Sequence, residues 1–220
     1  MKINIAIDGP SAAGKSTIAK ELCKRLGYRH IDTGAMYRCV AYKALKNNIS
    51  VEDEKRIVAM MDETQIRIDE DGEILMDGIF VEQYIRSNEV SMAASAVSKL
   101  EKVRERLVAQ QQAMAKDFGY VMDGRDIGTV VLKDLAKVKI FLTASAQARG
   151  ERRHLQNLQL GIESDLQSII EDIKQRDLQD SNRKHSPLRK AEDAIEIDSS
   201  HLSIEEVVNE IIEIVNQYIK

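Results

Sequence analysis

The fold of this chain is decided by its first segment, INIAIDGPSAAGKSTIAKELCKRLG, residues 3–27. The short apolar run 3–7 predicts a buried parallel strand, because such strands are covered on both faces and need not alternate. Apolar residues then recur at helical spacing as far as Gly27, a residue type that commonly ends helices. Between the two, GPSAAGKS (9–16) matches the pattern G-x-x-x-x-G-K-[ST]. The segment therefore predicts a strand, a phosphate-binding loop and a helix.

This loop has the residue types that a triphosphate requires. Gly9 and Gly14 let the backbone curl so that its N–H groups face inward, and the helix N-terminus adds partial positive charge. Lys15 is expected to reach the β and γ phosphates, while the Ser16 hydroxyl coordinates Mg²⁺ and Thr17 donates to a neighbouring phosphate. The predicted ATP-binding residues are Gly9, Pro10, Ser11, Ala12, Ala13, Gly14, Lys15, Ser16 and Thr17.

Strands alternate with helices along most of the remaining chain, which predicts an α/β fold with a mostly parallel sheet. We expect a three-layer α/β/α arrangement around five strands. QIRIDEDGEILMDGIFV (65–81) instead alternates apolar and polar residues and predicts an inserted antiparallel unit. Residues 88–117 predict one long helix or a broken pair. The predicted organisation is a single domain, 1–220, with a core (about 1–60, 88–145 and 185–220), an acceptor-binding insert (about 61–87) and a lid (about 146–184).

The composition excludes several classes of protein. A net charge of −4 argues against a nucleic-acid partner, since such domains carry a basic excess. No apolar run approaches the roughly 18 residues of a membrane span, and MKINIAID is too short an apolar run for a signal peptide. Cys23 and Cys39 lack metal-ligand spacing and are expected to be reduced, partly buried thiols. We therefore expect a cytoplasmic protein.

Three classes of nucleotide-binding protein share such a loop: small-molecule kinases, GTPase switches and ATPase motors. A switch is expected to contain an N-K-x-D segment, and the sequence has none. A motor is expected to be larger and to have an apolar strand ending in Asp-Glu, whereas the comparable strand here ends in Asp123-Gly124. The kinase interpretation is favoured.

Arginines are placed where a second anionic substrate would need them. Phosphoryl transfer depends on holding two anions in line, so it requires more cations than the loop supplies. Taken singly, each arginine is better explained as a solvated side chain. The pattern of two charged helices around Gly161, however, is typical of a mobile, arginine-bearing lid. The candidate arginines are Arg38, Arg104, Arg125, Arg149, Arg153, Arg176 and Arg183.

Four motifs together resemble the bacterial cytidylate kinases, which are P-loop nucleoside monophosphate kinases. They are GPSAAGKST (9–17), DTGAMYR (32–38), DGRDIGT (123–129) and RDLQDSNR followed by PL (176–188). The resemblance runs from residue 3 to about residue 215. It implies transfer of the γ-phosphoryl group of ATP to CMP or dCMP, with Mg²⁺. Threonine stands at position 33, where the family commonly has serine; this keeps the hydroxyl and predicts a mild change in fit.

The resemblance also implies a set of acceptor-binding residues, whose roles can be assigned by chemical type. Asp126, Arg104 and Ser95 suit the donor and acceptor groups of the cytosine edge. Arg38, Arg125 and Arg183 suit the acceptor phosphate, and Asp180 with Arg176 suits the sugar hydroxyls. The matching positions are Thr33, Arg38, Ser95, Arg104, Asp123, Arg125, Asp126, Arg176, Asp180 and Arg183.

The catalytic step is expected to depend on Lys15, Arg125, Arg153 and Arg183. Arg149 and Arg153 match a lid pattern in which one arginine stacks on adenine and the other neutralises the transferring phosphoryl group. No general base is needed, because the acceptor is already an anion. Asp123 has two open roles: it holds a neighbouring arginine, or it reaches Mg²⁺ through water. A monomer is expected. The alternatives are a kinase for UMP or shikimate, and a nucleotide-binding regulatory protein with an inactive acceptor site.

Overall fold

The computed structural model describes residues 1–69, 72–159 and 161–219. The strands in chain order are β1 (Asn4–Asp8), β2 (Arg29–Asp32), β3 (Ile66–Ile68), β4 (Ile74–Met76), β5 (Ile79–Phe80), β6 (Tyr120–Gly124), β7 (Ala136–Thr143) and β8 (Ile195–Asp198). The α-helices are α1 (Lys15–Leu26), α2 (Thr33–Lys46), α3 (Glu54–Asp62), α4 (Asn88–Val97), α5 (Glu101–Met114), α6 (Ala146–Gln159), α7 (Leu166–Ser181) and α8 (Ile204–Asn216).

The chain divides into two compact units. The first contains residues 1–28 and continues from Phe118 onward, and the second runs from Arg29 to Asp117. The parallel sheet has five strands and a separate antiparallel sheet has three, which confirms the predicted α/β fold class with a small antiparallel unit.

In the first unit, the strands β6, β1, β7 and β8 lie side by side and run parallel. Ile5 pairs with Val121 on one side and Val138 on the other, and Leu142 pairs with Ile197. Because the strands are parallel, their carboxyl ends share one edge, where ligands of such sheets bind. The phosphate loop follows β1 at this edge, and the segment beginning at Arg125 follows β6.

The core of the first unit lies between this sheet and two helices. The buried side chains of α1 and α8, such as Leu22 and Ile211, pack with Ile5, Val121 and Ile140 of the strands. Helix α8 begins with a capping box: the Ser203 side chain accepts from the Glu206 N–H, and Glu206 bonds back to Ser203. This reciprocal cap satisfies two backbone donors at the helix start.

In the second unit, α2 packs against α4, and α3 packs against α5. The predicted hairpin is present as β3 and β4, with Arg67 opposite Leu75, and β5 adds a third antiparallel strand. Residues 70 and 71 of the predicted antiparallel unit lie outside the described residues.

Two features refine the sequence prediction. Of the two alternatives for 88–117, the broken pair is correct, since α4 ends at Val97 and α5 begins at Glu101. A π-helix over Ile127–Val131 follows β6 and was not predicted, because so short a turn has no distinctive periodicity.

Within the described residues, no helix combines the length and apolar character needed to cross a bilayer.

Candidate active site

The phosphate loop joins β1 to α1 through a backbone that only small residues permit. A Cβ atom on Gly9 would lie 2.1 Å from the Leu142 carbonyl oxygen, so no side chain fits there. Ala12 and Gly14 both have positive φ, at 60° and 92°. Successive residues of mixed handedness turn their N–H groups to one side and form an anion-binding concavity. The loop thus has the geometry that the motif predicts.

Lys15 is buried and directed over this loop. Its Nζ donates to the Pro10 carbonyl oxygen at 2.7 Å. Burial and then the nearby Arg125 guanidinium lower the pKa of the Lys15 ammonium to about 7. The carboxylates of Asp123, Asp8 and Asp180 act in the opposite direction. An arriving phosphate would favour the charged form again, so the site is prepared for an anion.

Ser16 meets the carboxyl end of β6. Its Oγ donates to Oδ2 of Asp123 at 2.8 Å, although the two residues are 107 positions apart in the sequence. A hydroxyl and a carboxylate side by side are oxygen ligands of the kind Mg²⁺ prefers. Within the described ranges there is no group of three or more His, Cys, Asp or Glu side chains that could hold a metal ion.

Asp8 is a buried carboxylate that the sequence analysis did not single out. Its Oδ1 accepts from the Ile127 N–H at 2.7 Å and its Oδ2 accepts from the Gly128 N–H at 2.6 Å. Burial raises its pKa to about 7, with a further contribution from the Asp126 carboxylate, while the two backbone bonds and Lys15 act to lower it. The available signal was an acid at the end of a buried strand, immediately before Gly9.

The buried carboxylate of Asp180 accepts hydrogen bonds from arginines in two segments of the first unit. Its side chain is 1% exposed; Oδ2 accepts from Arg125 Nε at 2.7 Å, and Oδ1 accepts from Arg183 Nη2. Burial by itself raises the pKa of Asp180, but Arg125 and Arg183, with a smaller effect from Arg176, hold that pKa below its usual range. Three of the predicted acceptor arginines therefore surround one carboxylate.

The residues of this group do not all belong to one helix. Helix α7 ends at Ser181 and Asn182 is its C-cap, so Arg183 lies beyond the helix. Arg176 and Asp180 are within α7, one turn apart. The convergence of Arg183 on Asp180 results from the chain turning after the helix, where the Leu188 N–H also donates to the Asp180 carbonyl oxygen at 2.9 Å.

The two predicted lid arginines lie in different environments although both belong to α6. Arg149 is 4% exposed. Its Nη1 donates to Asp177 Oδ1 at 3.0 Å and to the Ser11 carbonyl oxygen at 3.1 Å, and its Nε donates to the Ala144 carbonyl oxygen at 2.8 Å. Arg153 is exposed and has a contact with Gln156 at 3.4 Å. Arg149 thus connects α6, α7 and the phosphate loop.

In the second unit, Asp32 organises the start of α2. Its Oδ1 caps the helix by accepting from the Ala35 N–H at 2.8 Å, and its Oδ2 accepts from Arg38 Nη2 at 2.8 Å. Arg86, which the sequence analysis did not select, also reaches Asp32, at 3.4 Å. Although burial opposes it, Arg38 and Arg86 hold the pKa of Asp32 below its usual range. Arg38 is therefore held in place by a carboxylate.

The other predicted residues of the second unit lie on or near α2, α4 and α5. Arg104 is 5% exposed, its Nη1 donates to the Ser98 carbonyl oxygen at 3.0 Å, and its guanidinium lies 5.5 Å from the centre of the Tyr37 ring. Ser95 is half-buried and its carbonyl oxygen accepts from the Ser98 hydroxyl at 2.9 Å. Thr33 is buried at the first position of α2.

The two cysteines are outside this constellation. Cys23 and Cys39 are free thiols and both are buried. Burial raises the pKa of each to about 12, so neither is a thiolate at neutral pH. They are more deeply buried than the sequence analysis expected.

Comparison with known proteins gives a consistent result along the whole chain. The family described as Cytidylate kinase matches residues 5–217. A cytidylate kinase of Caldicellulosiruptor bescii is 54% identical, over 100% of this chain and 98% of the relative. One from Geobacillus sp. strain WCH70 is 52% identical, over 99% and 98% of the two chains. Among solved structures, an uncharacterized protein from Eubacterium ventriosum superposes with a TM-score of 0.55 at 12% identity, covering 99% of both chains, which shows a shared fold.

Proposed function

The chain belongs to the cytidylate kinase family and is a nucleoside monophosphate kinase, and we propose that it transfers the γ-phosphoryl group of ATP to CMP or dCMP with Mg²⁺. One observation carries the proposal furthest. Arg125 and Arg183 both bind the buried carboxylate of Asp180, and Arg125 and Asp180 also influence the pKa of Lys15 in the phosphate loop. A second cluster of cations beside a triphosphate loop is what transfer between two anions requires.

ATP is proposed to bind with its phosphates in the loop of residues 9–17. The inward-facing N–H groups and the N-terminus of α1 would hold the α and β phosphates. Lys15 would exchange its bond to the Pro10 carbonyl oxygen for one to the β and γ phosphates, since a charged acceptor makes the stronger hydrogen bond. Thr17, which is exposed at the start of α1, would donate to a neighbouring phosphate.

Mg²⁺ is proposed to be held by Ser16, with Asp123 acting through water. The distance of 2.8 Å between the two side chains favours this role for Asp123 over the alternative of holding an arginine. When bound, the ion would supply positive charge that offsets the negative charge of the phosphates. The Asp123 carboxylate would orient the Ser16 hydroxyl and a coordinated water.

The predicted acceptor-binding residues are proposed to have the following roles. Asp126, Arg104 and Ser95 are each proposed to recognise cytosine, and Thr33 is proposed as a further acceptor-binding residue. The acceptor phosphate would be bound by Arg38, Arg125 and Arg183. Arg38 and Arg183 are each held by a carboxylate, Asp32 and Asp180, and a guanidinium oriented in advance loses less freedom when phosphate arrives. Arg176 and Asp180 are proposed for the sugar hydroxyls.

The chemistry needs positioning and charge rather than proton transfer. The attacking oxygen belongs to a phosphate that is already anionic, so no base is required. Arg125 and Arg183 would orient that phosphate and withdraw its charge, while Lys15 and Arg153 would stabilise the charge on the transferring phosphoryl group. Arg153 is exposed and its Nη1 lies 3.4 Å from the Gln156 side-chain oxygen, a long contact that suits a lid residue that moves. Arg149 is proposed to support ATP binding through its bond to Ser11.

A direct assay tests the proposal. The protein is mixed with ATP and Mg²⁺, and ADP release is measured with CMP, dCMP, UMP, AMP, GMP and shikimate as acceptors. CMP and dCMP are expected to be clearly the best. A higher rate with UMP or shikimate would favour one of those kinases, and ATP binding without transfer to any acceptor would favour the regulatory alternative.

We also propose that the enzyme is a monomer of the cytoplasm that acts on free nucleotides. The buried, unpaired thiols of Cys23 and Cys39 suit a reducing compartment. Light scattering after gel filtration tests the monomer, which should give a mass near 24.8 kDa.

A further inference from the structure

We propose that Asp8 is a positioning residue that fixes the acceptor-binding segment 124–128 by capping its helical turn from another strand. This inference rests on the proposed function, because it assigns Asp8 a part in binding CMP. Asp8 touches neither substrate in the roles assigned above, and it acts through the backbone that carries Arg125 and Asp126.

The geometry is that of a helix cap supplied from outside the helix. The first N–H groups of a helical turn have no partner within it, and a side chain at the N-cap position usually accepts from them. Here the N-cap residue of the turn Ile127–Val131 is Asp126, yet its side chain makes no cap hydrogen bond. The Asp8 carboxylate accepts from Ile127 and Gly128 instead, across 119 and 120 positions of sequence.

The capping of this turn by Asp8, and not by Asp126, has a functional consequence. Because Asp8 satisfies the turn, the Asp126 carboxylate does not have to fold back onto its own backbone. The role proposed for the Asp126 side chain is contact with the exocyclic amino group of cytosine. The carbonyl oxygen of Asp126 accepts from the Val130 N–H at 2.9 Å and the Val131 N–H at 3.1 Å, so its backbone is held on that side as well.

Burying the ionised Asp8 carboxylate lowers the stability of the fold. A residue with a purely structural role would not be expected to do so. Asp8 is 3% exposed, and burial raises its pKa to about 7. Since the folded-state pKa lies above the ordinary value of 3.8, ionised Asp8 weakens folding, and its contribution to stability improves as the pH falls below about 7. An apolar residue and a local cap by Asp126 would avoid this cost. A group retained against stability is more often functional.

Neighbouring groups pack closely around the Asp8 side chain. A Cβ atom on Gly128 would lie 3.2 Å from Asp8 Oδ2 and 3.3 Å from Cδ of Lys139. The charged groups that face Asp8 are Asp126 and Lys15. Lys139 presents its aliphatic stem here, while its ammonium binds Asp193 at 2.7 Å.

The test uses Asp8→Asn in the full chain. An amide has one acceptor and one donor, so it can satisfy only one of the two N–H groups and must place its NH₂ against the other. The loss of one charged hydrogen bond is expected to raise the Kd for CMP, titrated without ATP, by about tenfold. The KM for ATP is expected to change far less. Asp172→Asn, a substitution of the same type at an exposed aspartate of α7, should change neither.

The pH profile separates positioning from general destabilisation. Between pH 8 and pH 6, wild-type Asp8 gains the proton that turns one acceptor into a donor, while the asparagine does not titrate. The ratio of CMP affinities, wild type over Asp8→Asn, should therefore fall toward one at pH 6. Because CMP titrates equally in both measurements, the ratio isolates Asp8. The melting temperature of the wild type should not fall in parallel.

Several results would overturn the inference. An unchanged CMP affinity in Asp8→Asn, or an equal loss for CMP and ATP, would show that Asp8 supports the phosphate loop or the fold alone. If Asp8→Asn does not fold, Gly128→Ala keeps the carboxylate but crowds it, and should weaken CMP binding in the same direction; normal CMP binding would refute the proposal. A wild-type protein that neither binds nor phosphorylates CMP would instead refute the proposed function.

Discussion

Replacing Asp180 with asparagine should disable the acceptor side of the enzyme while leaving ATP binding largely intact. The carboxylate is 1% exposed and binds Arg125 and Arg183 through separate oxygens. Asparagine keeps one acceptor and turns an NH₂ group toward the other guanidinium. One arginine then loses its partner, and three cations, including Arg176, remain near a neutral side chain.

The magnitude follows from the burial of these groups. Removing one partner of a buried, hydrogen-bonded ion pair costs about 3–5 kcal/mol. The Arg183 and Arg125 side chains are 9% and 20% exposed, so Arg125 can still reach water. We therefore expect the lower end of the range, a loss of about 3 kcal/mol in the free energy of unfolding. Displaced arginines should also lower kcat/KM for CMP by about a hundredfold, the effect of a misplacement near 1 Å.

Two measurements check this prediction. Urea denaturation gives the free energy of unfolding, and ADP release at varied CMP and varied ATP gives the two KM values. Asp172→Asn is the matched control, since it is an exposed aspartate on the same helix α7 and should behave as wild type. A second comparison is Asp177→Asn, which removes the carboxylate bound by Arg149 and should affect ATP more than CMP.

The reasoning about Asp180 would be refuted by an Asp180→Asn variant with wild-type stability and wild-type kcat/KM for CMP. That result would mean that the two arginines are held by other contacts. A rise in the KM for ATP equal to that for CMP would place the Asp180 cluster on the donor side instead.

Three further predictions concern other parts of the molecule. Asp123→Asn should raise the Mg²⁺ concentration for half-maximal activity by about tenfold, the loss of one charged hydrogen bond to the ion's water; a Mg²⁺ titration that superposes on wild type would contradict it. Asp126→Ala should reduce the preference for CMP over UMP by about tenfold to a hundredfold, and an equal rise in the KM for ATP would exclude that role. Gly150→Ala places a Cβ 2.4 Å from Cγ1 of Ile170, so overpacking between α6 and α7 should cost about 1–3 kcal/mol in urea denaturation; an unchanged midpoint would show that the helices separate freely.

Much of the fold could be predicted from the sequence because its signals are local. The run from residue 3 to Gly27 contains a strand, a phosphate loop and a helix within a few turns of each other, and each depends on neighbouring residues. The cap of α8 by Ser203 and Glu206 was likewise predictable, because the two residues are three positions apart and bond to each other's backbone. The family could be recognised for the same reason, since its motifs are short and contiguous.

The environments of the site residues could not be predicted in this way. Arg149 and Arg153 are four residues apart and lie on the same face of α6. Arg149 is nevertheless buried against Asp177, whereas Arg153 is exposed. The difference arises because α7 packs against α6, and the position of α7 relative to α6 is not visible in the periodicity of either helix. The third strand of the antiparallel sheet was also missed, since β5 is only 2 residues long.

From the amino-acid sequence one can infer the α/β class, the phosphate loop and the residue types that a nucleotide kinase needs. The tertiary structure alone decided which of those residues meet. Ser16 reaches Asp123 across 107 positions, Arg125 reaches Asp180 across 55, and Asp8 caps the turn at Ile127 across 119. The physical reason is the separation along the sequence over which each effect acts. Backbone hydrogen bonding and helical periodicity relate residues that are a few positions apart. The parallel sheet, in contrast, brings strand ends that are distant in the sequence to one edge. At that edge Asp8, rather than Asp126, caps the turn.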